Sequence, residues 1–312
     1  MTLGTITDAL ERLAPLRWQE DYDNSGLQAG LFDKAGVPLG RDAEVTGVLV
    51  CLDITEAVID EAVSRGCNLV VAHHPLIFRP LKNISGVTYQ QRCVAKALCN
   101  GVALYAAHTN LDNAPGGVSW EMAARIGLRQ VRTLASLPSL PVIPSDSPAA
   151  CSSVPSGCPA AVPGSGVIGV LPEAMEPEAF ARRLADIFAA PALRWSCPGF
   201  RQQEPGFPSC SRADAQPATI RTVALCGGSG GEFIRDAIAA GADCYVTGEI
   251  RYHDYFEADG CMLVALGHYE SEQYTMDLLE RYLKQTVSDA GDNVPVCRSA
   301  LVTNPMEYLH SL

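Results

Sequence analysis

The chain has few charged residues and no concentration of positive charge. Charged side chains make up 19% of the 312 residues, and 23 basic residues against 35 acidic ones give a net charge of −12. Proteins bind nucleic acids and anionic membranes through clustered lysine and arginine, and this sequence contains no such cluster. We therefore do not expect nucleic acid as a partner.

Long apolar runs are also missing. No apolar run reaches the roughly 18 residues that a membrane helix needs. The N-terminal residues 1–13 lack the basic start and apolar core of a signal peptide. We expect a cytoplasmic protein that has no membrane partner.

The cysteines lack the spacing of a metal or disulfide framework. The sequence has 12 of them, but no Cys-x2-Cys pair, which is the pattern typical of structural zinc sites. Five lie in or beside apolar runs, where a reduced thiol behaves as a small apolar side chain: Cys51, Cys67, Cys226, Cys244 and Cys261. A reduced cytosolic state fits this distribution better than disulfides.

What the sequence does contain is an alternation of apolar runs and helical patterns. Predicted strands lie at 45–52, 69–72, 102–106, 167–171, 220–225, 244–246 and 262–266. Predicted helices lie at 5–13, 55–65, 87–100, 118–126, 177–189, 232–240 and 269–283, with a loop at 18–30. This alternation is typical of a largely parallel sheet with helices on its faces. Two stretches rich in proline, serine and cysteine, at about 133–164 and 196–217, are predicted to be linkers or disordered insertions.

The two ends of the chain resemble each other. The segment 47–51 followed by 66–68 matches 222–226 followed by 241–243, and the spacing is the same, because 68 − 51 and 243 − 226 are both 17. In this register His73 and His74 correspond to Gly248 and Glu249. The match predicts a duplicated βαβ unit.

The most informative stretch is 68–78, an apolar run that ends in two histidines. Leu69 to Ala72 should form a strand buried on both faces. His73 and His74 then lie at its carboxyl end, the edge at which open α/β sheets bind ligands. Since neighbouring strand residues point to opposite faces, the pair suits two ions better than one. Two hydrogen-bonded histidines in a loop are the alternative.

Other histidines and carboxylates extend this pattern. Of the six histidines, five follow strand-like runs: His73, His74, His108, His253 and His268. His268 and Glu272 are four residues apart, so a helix beginning by Tyr269 would place them on one face. His108 and Asp112 share that spacing in a segment predicted to be a loop. Imidazoles and carboxylates without thiolates suit Zn, Mn or Fe(II), and five or more such ligands suggest two ions.

Two further features each allow two interpretations. The glycine-rich segment 226–231 joins a strand to a helix, so it could hold a phosphate on its backbone N–H groups or simply form a tight turn. His253 could be a general acid or base, or it could pack among its aromatic neighbours at an edge or subunit interface.

Six segments resemble the motifs of the Nif-three-like dinuclear metal centre family, also known as GTP cyclohydrolase I type 2-like proteins. They read DNSGLQAG (23–30), NLVVAHHPLIF (68–78), HTNLD (108–112), CGGSGG (226–231), GADCYVTGEIRYHD (241–254) and GHYESE (267–272). The resemblance implies an α/β fold of two similar lobes with a dinuclear metal site between them, and a ring-shaped homohexamer. Residues 1–130 and 226–312 would form the metal-binding lobes, with 131–225 as a middle segment.

The resemblance also implies a ligand set and an activity. The ligands of two divalent ions (Zn, Mn or Fe) per chain would be His73, His74, Asp112, His268 and Glu272, with Glu272 bridging. His108 would lie beside them as a supporting group or an occasional ligand. The family's activity would be metal-dependent hydrolysis of a nucleotide or similar small molecule. A non-enzymatic protein that binds or delivers metal is the alternative.

Overall fold

The structure, a computed structural model, describes residues 1–137, 162–196, 219–258 and 260–309. Most of the two irregular stretches lies outside these ranges, and so do Cys151, Cys158, Cys197 and Cys210.

The secondary structure of the described residues consists of nine α-helices, four short 3-10 helices and eleven strands. The α-helices are α1 (Leu3–Leu13), α2 (Glu56–Ser64), α3 (Tyr89–Cys99), α4 (Thr109–Asp112), α5 (Val118–Ile126), α6 (Pro177–Phe188), α7 (Ile234–Ala239), α8 (His268–Glu272) and α9 (Thr275–Asp289). The 3-10 helices are Leu16–Trp18, Gly40–Asp42, Gly231–Phe233 and Tyr252–Glu257. The strands are β1 (Gly26–Ala29), β2 (Val48–Cys51), β3 (Leu69–Ala72), β4 (Ala103–Ala106), β5 (Arg129–Ser136), β6 (Gly164–Met175), β7 (Arg194–Trp195), β8 (Ile220–Cys226), β9 (Cys244–Thr247), β10 (Met262–Ala265) and β11 (Val296–Arg298). In this part of the chain no helix is both long enough and apolar enough to cross a bilayer.

The first of two compact units comprises Met1–Ala114 and Tyr274–Pro305. Its sheet has the order β1-β4-β3-β2-β11, in which β2, β3, β4 and β11 are parallel and β1 is an antiparallel edge. Ile59 of α2 and Val94 of α3 pack in one apolar cluster with Val70 of the central strand. The β2, β3 and β4 side chains are all buried, which explains their continuous apolar sequence.

The second unit comprises Pro115–Gln273 and Met306–Leu312, apart from the residues outside the described ranges. Its sheet has the order β5-β6-β8-β9-β10-β7. The central strands β8, β9 and β10 are parallel, while β5, β6 and β7 pair antiparallel with their neighbours. Ile234 of α7 packs with Tyr245 and Leu263 in the core of this sheet.

The parallel strands of the two units share one register. Cys51 pairs with Ala72, which pairs with Ala106. At the corresponding positions Cys226 pairs with Thr247, which pairs with Ala265. The predicted α/β fold with two similar lobes is confirmed, and the common register is what a duplicated βαβ unit requires.

Several local predictions were wrong. The predicted loop 18–30 contains strand β1, which is too short and polar to be recognised before its antiparallel pairing with β4 is known. The predicted single helix 269–283 is two helices, and the boundary between the compact units falls at the break between them. Residues 129–136, partly assigned to an insertion, form β5, and β7 and β11 were not predicted. The first turn of the predicted helix 232–240 is a 3-10 turn.

Candidate metal centre

His73 directly follows β3 and is fully buried. Its Nδ1 atom lies 2.7 Å from the backbone oxygen of Ala107. A carbonyl only accepts hydrogen bonds, so Nδ1 carries the proton and Nε2 carries the lone pair that can bind a metal. Nε2 lies 3.7 Å from Oδ1 of Asp112, and Asp112 ends α4 rather than lying in the predicted loop.

His74 is oriented by an aspartate that follows the neighbouring strand β2. Its Nδ1 atom lies 2.7 Å from Oδ1 of Asp53, two residues beyond β2, and Asp53 Oδ2 accepts a hydrogen bond from Thr303. Burial raises the pKa of Asp53. The hydrogen bond and charge of His74 and the hydrogen bond from the Thr303 hydroxyl lower it by more, so the net shift of the Asp53 pKa is downward. The carboxylate is therefore ionised and accepts a hydrogen bond from Nδ1–H, so that in the neutral imidazole the lone pair is on Nε2.

His108 repeats this arrangement with Asp23. The Nδ1 atom is 2.7 Å from Asp23 Oδ1, and the second carboxylate oxygen accepts hydrogen bonds from Thr109 N at 3.0 Å and Ser25 Oγ at 2.8 Å. Burial opposes ionisation of Asp23, but the hydrogen bond and charge of His108 and the hydroxyl groups of Thr109 and Ser25 outweigh it and hold the pKa of Asp23 far below its usual range.

The three histidines of the first unit form one cluster. Their ring centroids are 4.9 Å apart for His73 and His74, 5.4 Å for His73 and His108, and 5.7 Å for His74 and His108. All three rings use Nδ1 for a hydrogen bond to an acceptor, so in their neutral form all three have the lone pair on Nε2.

The second unit carries its own pair of ligand-type residues. His268 begins α8, and its Nε2 atom lies 3.0 Å from Oε2 of Glu272, so the prediction that these residues share a helix face is confirmed. Nδ1 of His268 lies 3.3 Å from Oε1 of Glu249, two residues beyond β9. Glu272 is only 3% exposed, so its carboxylate sits where water screens charge poorly.

The glycine-rich loop makes room for Glu272. Gly228 has φ +62°, and a Cβ atom there would lie 2.2 Å from Oε1 of Glu272. Its N–H donates to Ser271 Oγ at 3.0 Å, and its carbonyl accepts from Gly248 N at 2.8 Å. These contacts favour the tight-turn interpretation of residues 226–231.

His253 is exposed on the 3-10 helix Tyr252–Glu257. Its ring centroid lies 5.2 Å from that of Tyr252 and 6.3 Å from that of Phe256. This position matches the predicted aromatic surroundings, and the acid–base role stays a prediction.

The carboxylates that contact these imidazoles, Asp23, Asp53 and Glu249, were not predicted from the sequence. A signal existed for two of them. Asp53 follows a predicted strand, as the histidines do, and Glu249 corresponds to His74 in the internal repeat. Asp23 lies in a loop, where no periodic pattern identifies it.

The donor chemistry fits a divalent ion. Within the first unit His73, His74 and His108 lie together, and within the second unit His268 contacts Glu272. Imidazole nitrogen and carboxylate oxygen, without a thiolate, are ligands that Zn, Mn and Fe(II) accept. The fold and these side chains define an α/β protein with a candidate metal site at the carboxyl ends of its strands.

The comparisons with known proteins identify the family. The model of DUF34/NIF3 (NGG1p interacting factor 3) matches residues 1–305, and the chain belongs to this family. A GTP cyclohydrolase 1 type 2 homolog of Clostridium acetobutylicum is 26% identical over 306 residues, which cover 97% of each chain. One of Streptomyces coelicolor is 30% identical over 306 residues, covering 97% of this chain and 93% of its own. The crystal structure of a Bacillus cereus protein related to NIF3 superimposes with a TM-score of 0.80 at 25% identity over 99% of both chains.

Proposed function

We propose that the protein is a metal-dependent hydrolase of the GTP cyclohydrolase I type 2-like kind, acting on a nucleotide or similar small molecule. The observation that carries this proposal is the histidine cluster of the first unit. Three imidazoles lie within 5.7 Å of one another, centroid to centroid, and Nδ1 of each is held by a backbone or carboxylate acceptor. Histidines fixed in this way are typical of metal sites.

Two divalent ions per chain, Zn, Mn or Fe, are proposed to bind to ligands from both units. The proposed ligands are His73, His74, Asp112, His268 and Glu272, with Glu272 bridging the ions. The family resemblance and the nitrogen and oxygen donor set support this assignment. When bound, such ions act as Lewis acids and activate water near neutral pH.

The other residues of the site have supporting roles in this proposal. Asp53 and Asp23 hold the imidazoles of His74 and His108 in the tautomer that presents Nε2. Glu249 lies 3.3 Å from Nδ1 of His268 and is proposed to orient that ring. His253 is proposed as the general acid or base, a role that its exposed ring permits because protons can exchange with solvent.

The test is elemental analysis of the protein purified without added metal or chelator, together with turnover of GTP. We expect two ions per chain, lost in Glu272→Ala together with hydrolysis. Glu178→Ala removes an exposed glutamate of α6 that pairs with Arg182, and it should keep both the ions and the activity. Metal content that is unchanged by Glu272→Ala would contradict the proposed site.

Two further outcomes separate the alternatives. Bound metal without hydrolysis of GTP or other nucleotides would favour a metal-binding or metal-delivering protein over an enzyme. The homohexamer is also proposed from the family resemblance, and light scattering that gives the mass of a single chain would contradict it.

A further inference from the structure

The residues that follow the histidine pair in the sequence form an open cavity. It has a volume of about 590 Å³ and is formed by residues between Pro75 and Gln91. This volume lies in the range of small-molecule sites. The residues that matter for its chemistry are Phe78, Arg79, Lys82, Asn83, Tyr89 and Gln91.

The described lining of the cavity contains two cationic side chains and no carboxylate. Arg79 and Lys82 are exposed, and neither makes an ion pair or hydrogen bond with a residue that the structure describes. No aspartate or glutamate is among the described residues that line the cavity. By contrast, Arg92 and Lys96 on the following helix both pair with carboxylates. The chain as a whole is acidic, with a net charge of −12. Two cations without a carboxylate in the same lining therefore favour binding of an anion there.

The wall of the cavity is held in place by a buried glutamine. Gln91 is 8% exposed. Its Oε1 accepts hydrogen bonds from Val87 N at 2.9 Å and Ser85 Oγ at 3.1 Å, and its Nε2 donates to Asn83 Oδ1 at 3.0 Å. These bonds fix the loop that carries Lys82, so a ligand need not order it on binding.

An aromatic wall connects the cavity to the histidine cluster. Phe78 lines the cavity and is 39% exposed, and Tyr22 is 63% exposed. Their ring centroids are 6.3 Å apart, and Phe78 is 6.0 Å from the ring of His108. Exposed aromatic rings offer a surface on which a planar ligand ring can stack.

We propose that this cavity binds the phosphate groups of a phosphorylated aromatic heterocycle, whose ring lies against Phe78 and Tyr22 and so faces the histidine cluster. Arg79 can bind a phosphate through two parallel hydrogen bonds, and Lys82 adds a point charge. The inference rests on the proposed function and assigns its substrate class to named residues of the first unit.

The test measures binding of GTP, guanosine and inorganic triphosphate to the whole protein after metal removal, by isothermal titration calorimetry. The double variant Arg79→Ala/Lys82→Ala should weaken GTP binding at least about tenfold, because two charge-assisted contacts are lost. The control Arg12→Ala/Lys34→Ala removes two exposed cations of the same unit that also lack an ion pair within the described residues. It should bind GTP as the unchanged protein does.

The outcomes distinguish this inference from the proposed function. Equal GTP affinity of the two double variants, or no GTP binding by the unchanged protein, would overturn the inference. Inorganic triphosphate that binds as tightly as GTP would overturn the claim that the ligand ring lies against Phe78 and Tyr22. Weaker binding of GTP to the Phe78→Ala variant would support that claim. Metal content is measured separately on each variant as purified. Purified protein without metal would contradict the proposed function. Loss of GTP binding by the Arg79→Ala/Lys82→Ala variant with full metal content would support phosphate binding in the cavity.

Discussion

Replacing Gly228 by alanine should displace the carboxylate of Glu272 without altering any residue that could bind metal. Gly228 has φ +62°, in the left-handed region, and a Cβ atom there would lie 2.2 Å from Oε1 and 3.1 Å from Cδ of Glu272. An ordinary contact is at least 3.4 Å. The carboxylate must therefore move by roughly 1 Å, well beyond the tolerance of about 0.2 Å on metal–ligand distances.

Two separate costs follow from this substitution. The left-handed backbone costs an alanine roughly 1–2 kcal/mol of folding stability relative to glycine. If Glu272 binds metal as proposed, its displacement should also lower the affinity for metal by about 10- to 100-fold.

The matched control is Gly241→Ala, because it isolates the backbone cost. Gly241 has φ +79°, lies in the same unit, and has nothing within 4 Å of the position of a Cβ atom. Urea unfolding should show a similar loss of stability for both variants. Competition with a chromophoric chelator should show weakened metal binding for Gly228→Ala alone. If the two variants bind metal equally well, then Glu272 either is not a ligand or moves without consequence, and the reasoning is refuted.

Two further predictions concern other parts of the first unit. Asp53→Asn removes the charge that orients His74 and should weaken metal binding by about 10- to 100-fold. The control Asp60→Asn alters an exposed ion pair with Lys96 and should leave metal binding unchanged. Equal metal affinities of the two variants in a chelator competition would count against the orienting role of Asp53. Burial and the neighbouring Cys297 raise the pKa of the Cys67 thiol to about 12, so this thiol stays protonated at pH 8. Iodoacetamide at pH 8 should thus modify the exposed Cys99 long before Cys67, as peptide mass spectrometry would show, and rapid labelling of Cys67 in the folded protein would contradict its burial.

The sequence predicted best the elements whose signals are local. Strand β3 has the predicted bounds, because a continuous apolar run ends at a polar pair followed by Pro75. Helix α5 also has the predicted bounds, because Gly127 adopts φ +81° and ends it.

The errors occurred where pairing with distant residues decides the structure. Strands β1, β7 and β11 have at most four residues each, too few for a periodic pattern, and exist through pairing with a neighbouring strand. The turn α4 forms although its sequence is rich in loop-forming residues, because Asn110 accepts a hydrogen bond from the backbone N–H of His108 at 2.9 Å.

The candidate site was predictable in its ligand types but not in its orienting groups. His73, His74 and the His268–Glu272 pair are visible as polar residues after apolar strands or at helical spacing. Which carboxylate holds which imidazole depends on the order of strands in the sheet. That β2 lies beside β3, which brings Asp53 to His74, is a property of the fold and not of either segment.

The repeat has a consequence at one pair of equivalent positions, Asp53 and Gly228, which both stand two residues after the matched cysteines Cys51 and Cys226. In one copy this position supplies a negative charge that fixes His74. In the other it supplies empty space that admits the carboxylate of Glu272. The two equivalent positions therefore act in opposite ways: Asp53 orients a side chain by its charge, and Gly228 leaves the space that a side chain occupies.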